Sequence, residues 1–465
     1  MAVATGWGFT LVVTENAKVC SFGCNDFGQI GSGTQYDSAR FGSIRNGNND
    51  LPGFDGEQIV MVAAGRNHSA CVTEEGSLWT WGNSDNGRLG TATSFGMDNS
   101  RLRPDRLGQE LFGNSRARMV ACGENFTMLL TTDGHIWNCG LGSRGQLGHG
   151  DHGSRSNLTR IDPLHFGRGK ITMIAAGSDH SMAQVAGCGA LYTWGGNLLG
   201  QLGHSTDSDC VVTPVALHPT AFGAEQITSF DAAYEYCMVI TMAGLVYATG
   251  RNVRGQLGLG HVTNSHTFQR VGGTNPFEFQ RVGIVSCGVQ HSLFITTDNA
   301  LWGCGHGLYD ENPLYTTTIP VTHLYPTRIT MNTVNLAFKV VSAGWHHSAA
   351  ITCNGDFYTW GNGVSYMEYA RHADVPALYN FIGDVSTPKR MEPIAFSNLR
   401  LGRWHAMQSD HALAIMMNSN LRLAIDSLLR NLDNDLLKMI IKYTEFKPRA
   451  DTGNALRTLI GFGPL

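Results

Sequence analysis

The chain has 465 residues, with 33 basic and 37 acidic side chains, a formal net charge of −4 and 15% charged residues. That balance excludes a global attraction for nucleic acid or acidic lipid, and no apolar run approaches the roughly 18 residues of a membrane span. Glycine, at 57 residues, stands above its usual share of roughly 7%, as turn-rich chains require.

Residues 1–6 lead directly into a repeat without a signal segment or basic arm, so an intracellular location, cytoplasmic or nuclear, is the expectation. A Trp-Gly step, or a degraded form of it, then recurs at Phe22-Gly23, Trp81-Gly82, Cys139-Gly140, Trp194-Gly195, Thr249-Gly250, Cys304-Gly305 and Trp360-Gly361. The glycines are spaced by 59, 58, 55, 55, 55 and 56 residues. A self-match at fixed period defines a repeat architecture, to be read before any single motif.

Each repeat contains an Ala-Ala-Gly segment, a His-Ser-Ala segment such as His68–Thr73, and a strand ending on the Trp-Gly step. All are short, apolar or alternating, and bounded by Gly or Asn-Gly turns. A looser fourth strand is expected after Gly-Gln-Leu-Gly, for example over Val211–Leu217. Four strands in about 55 residues make one propeller blade, and seven blades close a ring. Residues two apart on a strand share a face. The pairs Trp79/Trp81, Trp137/Cys139, Tyr192/Trp194 and Trp302/Cys304 therefore suggest volume compensation between blades packed face to face.

These Ala-x-Gly-x-x-His-Ser and Trp-Gly-x-Asn-x-x-Gly-Gln-Leu-Gly signatures resemble the repeat of the regulator of chromosome condensation family, over roughly residues 2–416. The resemblance implies an all-β, seven-bladed propeller closed by joining strands from the two termini. The Ala-x-Gly half occurs eight times, at Gly6, Gly65, Gly123, Gly177, Ala233, Gly288, Gly344 and Gly402, so one half is shared or surplus at the seam.

The domain expectation is a propeller over 1–416 and a short helical extension over 417–465. Leu428, Leu429, Leu432, Leu436, Leu437 and Ile440 recur there at helical spacing. The stretch 432–443 also looks somewhat like an F-box helix, which makes a ubiquitin-ligase adaptor an outside alternative. Two tracts depart from the repeat rule, Tyr309–Tyr315 and Tyr366–His372, and are candidates for a specialised surface. Five arginines between Arg101 and Arg118, interspersed with Asp105 and Glu110, read as a solvated loop.

Tests for chemistry come out empty. Gly140-Leu-Gly-Ser-Arg-Gly145 spells the dinucleotide fingerprint, but it aligns with the Trp-Gly turn of the other repeats and no helix is expected to follow it. No phosphate loop, nucleophile elbow, zincin helix or paired Cys-x-x-Cys is present. Neither a cofactor nor a metal is expected. His68, His180, His291 and His347 share one repeat position, read as structural and bonded to backbone within the blade.

The two residues between the Gly and the His vary freely, and equivalent turns must share one face of a ring. The expected partner-binding rosette comprises Trp7, Arg66, Glu124, Asp179, Tyr234, Glu235, Trp345, His346, Arg403 and Trp404, rich in the aromatic and arginine side chains that anchor interfaces. The leading functional reading is a non-enzymatic protein–protein interaction scaffold. The alternative implied by the resemblance is guanine-nucleotide exchange on a Ran-like small GTPase, with Asp179 in the Ser178-Asp179-His180 turn as the residue to carry over. The small wedge inserted beside the Trp-Gly step in that family's exchange factor has no counterpart at 84–87 or 141–145, and the basic N-terminal tail is absent.

Overall fold

The His-Ser-Ala segments form strands that are buried from end to end, as in His68–Thr73, Phe126–Thr131 and His180–Val185. A strand half-exposed on a surface would alternate; a continuously buried one is covered on both faces, which here means by a blade on either side. In the computed structural model, seven four-stranded antiparallel sheets follow one another, each ordered as its strands occur in the chain. They fall within residues 2–43, 59–107, 117–160, 171–216, 227–270, 282–328 and 338–390 and are numbered here as blades 1 to 7. The structure describes residues 2–44, 54–91, 100–187, 189–204, 208–272, 276–306, 322–329, 336–345 and 347–361, with the backbone of 385–390.

The expected closure by strands from both termini is not what the ring uses. Every blade is built from one contiguous stretch, and blade 1 begins with its own innermost strand, Ala2–Thr5, paired to Phe9–Val13. Blade 7 meets blade 1 by side-chain packing, with Phe22 edge-on to Phe357 at 6.3 Å. The eighth Ala-x-Gly half, at Gly402, lies outside the described residues. The expected helical extension over 417–465 and the F-box-like stretch also fall outside the described residues, as do Tyr309–Tyr315 and Tyr366–His372.

The fourth strand expected near Val211 is Cys210–Ala216. The arginine-rich stretch is not a loop at its start: Arg101–Leu107 is the outermost strand of blade 2. Its arginines are drawn to carboxylates, Arg101 to Asp105 at 3.7 Å and Arg106 to Glu57 at 2.9 Å, so the charge that suggested a loop decorates the exposed outer edge of a sheet.

Between blades, residues at the Trp-Gly position reach across the junction in several repeats. Trp81 and Trp194 donate Nε1–H to the carbonyls of Gln29 and Gln146 in the preceding blade, at 2.8 and 2.9 Å. Where Trp is replaced, Cys304 Sγ reaches the Gln256 carbonyl at 3.3 Å. The connections add a wedge the sequence reading did not anticipate. Phe166, at the end of the short 3-10 turn Pro163–Phe166, packs edge-on against Tyr192 at 5.2 Å and Trp194 at 5.9 Å of the blade it leads into. Phe54 does the same to Trp79 and Trp81.

Candidate functional site

The innermost strands surround a central channel of about 480 Å³. At one end of it each Ala-x-Gly turn leads into the second strand. The glycine is required by crowding: a Cβ on Gly65 would lie 2.3 Å from the His68 ring and 2.6 Å from the Gly123 carbonyl oxygen. Blade 5 has Ala233 there, because its two strands pair one step further, Ala233 with Tyr236, and turn through Tyr234 with φ at 38°. Backbone bonds stitch neighbouring turns together, from Glu124 N–H to the Ser178 carbonyl at 3.1 Å and from Ser178 N–H to the Tyr234 carbonyl at 2.9 Å.

The structure separates the two variable positions of each turn. The first lines the mouth of the channel and brings Trp7, Arg66, Glu124, Tyr234 and Trp345 together. Ring centroids of Trp7 and Trp345 lie 5.0 Å apart, and those of Tyr234 and Trp345 5.4 Å apart. Arg66 lies over the Trp7 ring at 3.9 Å and bonds Glu124 at 2.5 Å.

The second position stands outside that cluster. Glu235 pairs with Arg251 at 2.7 Å, and Arg251 in turn sits 5.3 Å from the Tyr234 ring. Asp179 fills the space beside Gly196, where a Cβ would lie 2.6 Å from its carboxylate. Burial, with Glu235 nearby, raises the Asp179 pKa, and Arg144 works against the rise. His346, Arg403 and Trp404 lie outside the described residues.

The repeated histidines are buried struts, and each turns Nε2 toward a side chain across the blade junction, where backbone within the blade was the expectation. Nε2 of His68 meets Thr127 Oγ1 at 3.0 Å, that of His291 meets Ser348 Oγ at 2.8 Å, and that of His347 meets Thr10 Oγ1 at 3.0 Å, each in the next blade. A hydroxyl one residue after the next blade's His-type position was the signal available in the sequence. Burial pushes His68 and His180 down to about 3, keeping both neutral. Blade 2 places Arg88 where its neighbours have the Gln of Gly-Gln-Leu-Gly. Arg88 is buried, donates from Nε to the Asp85 carbonyl at 2.8 Å, and is lowered to about 10 by burial.

Among the described residues no group of three or more His, Cys, Asp or Glu side chains is placed to hold a metal, and no helix is long and apolar enough to cross a membrane. Gly140 ends a strand, Ile136–Gly140, and the segment after it is a turn; the dinucleotide reading has no helix to rest on.

Fold and mouth together define a repeat β-propeller that gathers aromatic and charged side chains at one end of its channel. The chain belongs to the RCC1-like domain family, whose model matches residues 1–307; the regulator of chromosome condensation (RCC1) repeat model matches residues 338–366. It is 27% identical over 373 residues to the ultraviolet-B receptor UVR8 of Arabidopsis thaliana, covering 78% of this chain and 77% of that protein. It is 32% identical over 299 residues to the E3 ubiquitin-protein ligase HERC2 of Homo sapiens, covering 64% of this chain but only 6% of that protein. The crystal structure of Prp20p from Saccharomyces cerevisiae, a protein with binding properties toward Gsp1p and histones, shares the fold with a TM-score of 0.66 at 22% identity, over 83% of this chain and 88% of that one.

Proposed function

We propose that the protein is a non-enzymatic protein-binding scaffold and that its partner docks on the channel mouth. The observation that carries this reading is the convergence of Trp7, Tyr234 and Trp345, from blades 1, 5 and 7, with Arg66 stacked on Trp7. Aromatic and arginine side chains clustered at the centre of a face are the usual energetic anchors of an interface.

Guanine-nucleotide exchange is the second reading, favoured by one observation: Asp179 lies at the same end of the ring, with Arg144 near it and Glu235 in the adjoining turn. An exchange factor must bind the nucleotide-free state of its GTPase more tightly than the loaded state, and a carboxylate at the ring face could serve that purpose.

One experiment separates the two. Release of fluorescent GDP from a panel of small GTPases is followed with the intact protein, with Asp179→Ala and with Trp7→Ala/Trp345→Ala. The scaffold reading expects no acceleration, and loss of a co-purifying partner in the aromatic double variant alone. Acceleration that disappears in Asp179→Ala would replace it with exchange.

A further inference from the structure

Five side chains form a continuous run of contacts along the mouth. Trp7 meets Trp345, Trp345 meets Tyr234, and Arg66 lies over Trp7 and bonds Glu124. An indole face under a guanidinium whose edge meets a carboxylate, with two further rings packed beside that indole, is the kind of arrangement that recognises cations. Here the cation is the chain's own.

Arg66 is held as a guest would be. Its side chain is 35% exposed, so its seat is open to solvent. Its buried Nε has no hydrogen-bond partner, so the guanidinium satisfies only part of its donor set. The ring itself does not need a cation here, since the equivalent residues of blades 4 and 6 are Ser178 and Val289. A partly exposed ion pair of this kind contributes only modestly to stability, which leaves the seat exchangeable.

We propose that the channel mouth is a docking site for an arginine side chain of a partner protein, which takes the seat that Arg66 fills in the free molecule. The proposal rests on the protein-binding reading and adds the chemistry of the partner: a basic segment, complementary to a chain of net charge −4. Arginine fits better than lysine, because a planar guanidinium stacks on an indole while its edge forks onto a carboxylate. Arg66 then acts as an internal competitor. A partner binds only the fraction of molecules in which that side chain has swung away, so its apparent affinity is reduced accordingly.

The test uses capped Gly-Arg-Gly and Gly-Lys-Gly peptides titrated into the full chain, followed by tryptophan fluorescence. Arg66→Ala is expected to bind the arginine peptide about ten-fold more tightly than the wild type, a gain of the size a cation–π contact supplies. The lysine peptide gains less, and Arg66→Ala/Glu124→Gln loses the gain. Arg66→Gln, which keeps the side chain's length without its charge, stands in should the alanine variant melt early. Equal affinity for wild type and both Arg66 variants would overturn the proposal, as would a gain that survives Glu124→Gln. Partner capture separates the two levels of inference. Loss on Trp7→Ala/Trp345→Ala without any peptide effect removes the arginine seat but leaves the scaffold standing, whereas capture indifferent to the aromatic pair removes both.

Discussion

Ser342 Oγ, in blade 7, accepts the backbone N–H of Thr5, in blade 1, at 3.1 Å, and lies 2.7 Å from the Thr5 hydroxyl. The same contact recurs at the two preceding junctions, where Ser286 Oγ accepts from Ala343 N–H at 3.0 Å and an Asp231 carboxylate oxygen accepts from Cys287 N–H at 2.7 Å. Blades 1 to 4 have alanine at this position: Ala4, Ala63, Ala121 and Ala175. The ring is therefore latched by side chains across its last three junctions, including the one that joins its ends without strand exchange. Ser342→Ala should cost about 1–2 kcal/mol, the range for losing a hydrogen bond at a partly buried site. Urea unfolding measures the cost, and amide exchange at Thr5 should quicken more than in blade 3.

Stability should depend on pH through two opposed groups. His68 and His180, held near 3 when folded against an ordinary value of 6.5, bind fewer protons folded than unfolded. Their contribution is complete above pH 6.5 and falls on acidification by about 1.4 kcal/mol per pH unit for each histidine until about pH 3. Asp231 runs the other way. Burial raises it to about 6 from 3.8, against the pull of the Cys287 and Ala232 N–H groups, so its contribution is present below pH 4 and is lost as pH rises to 6. Two histidines outweigh one aspartate, and net stability should fall from pH 6.5 toward 4. Asp231→Asn, which can still accept from Cys287, should steepen that fall between pH 4 and 6. Urea midpoints across the range test this; an unchanged slope would count against the buried aspartate.

The sequence made the ring legible because its period is carried by residues with one structural job each. Gly65 must lack a Cβ, and Trp194 must reach the Gln146 carbonyl. The mouth was legible only as a set of turns sharing a face. Which of the two turn residues looks inward depends on backbone geometry that Ser178 and Asp179 cannot reveal by themselves. Closure by strands from both termini, implied by the family resemblance, is absent because Ala2–Thr5 supplies the inner strand of blade 1 within its own sheet; the eight Ala-x-Gly halves by themselves leave a shared or a surplus half equally open. The Phe wedges carry no periodic signal, because Phe54 and Phe166 fall in connections of varying length, outside the fixed period.

Trp194 tests the inter-blade packing. It is fully buried, bonded to the Gln146 carbonyl at 2.9 Å and wedged by Phe166. Trp194→Ala should cost about 3–5 kcal/mol, as large-to-small core changes do. Trp194→Phe keeps most of the volume and loses chiefly the bond, about 1 kcal/mol. Comparing the two urea midpoints divides shape from hydrogen bonding; equal losses would show the wedge to be slack.

Gly196 tests the seat of Asp179. A Cβ at position 196 would lie 2.6 to 2.8 Å from the Asp179 carboxyl atoms, which belong to the far end of a side chain that can move. Gly196 is buried, so Gly196→Ala should cost about 1–3 kcal/mol, as overpacking does, and leave the ring folded while it drives the carboxylate outward. Since burial is the largest cause of the raised Asp179 pKa, that pKa should fall toward the ordinary carboxylate range, read by carbon-detected NMR titration. Should exchange activity be found, the same variant would alter it through Asp179 without touching Trp7 or Trp345. A pKa that stays raised in Gly196→Ala would mean that Glu235, rather than burial beside Gly196, sets the charge at this end of the ring.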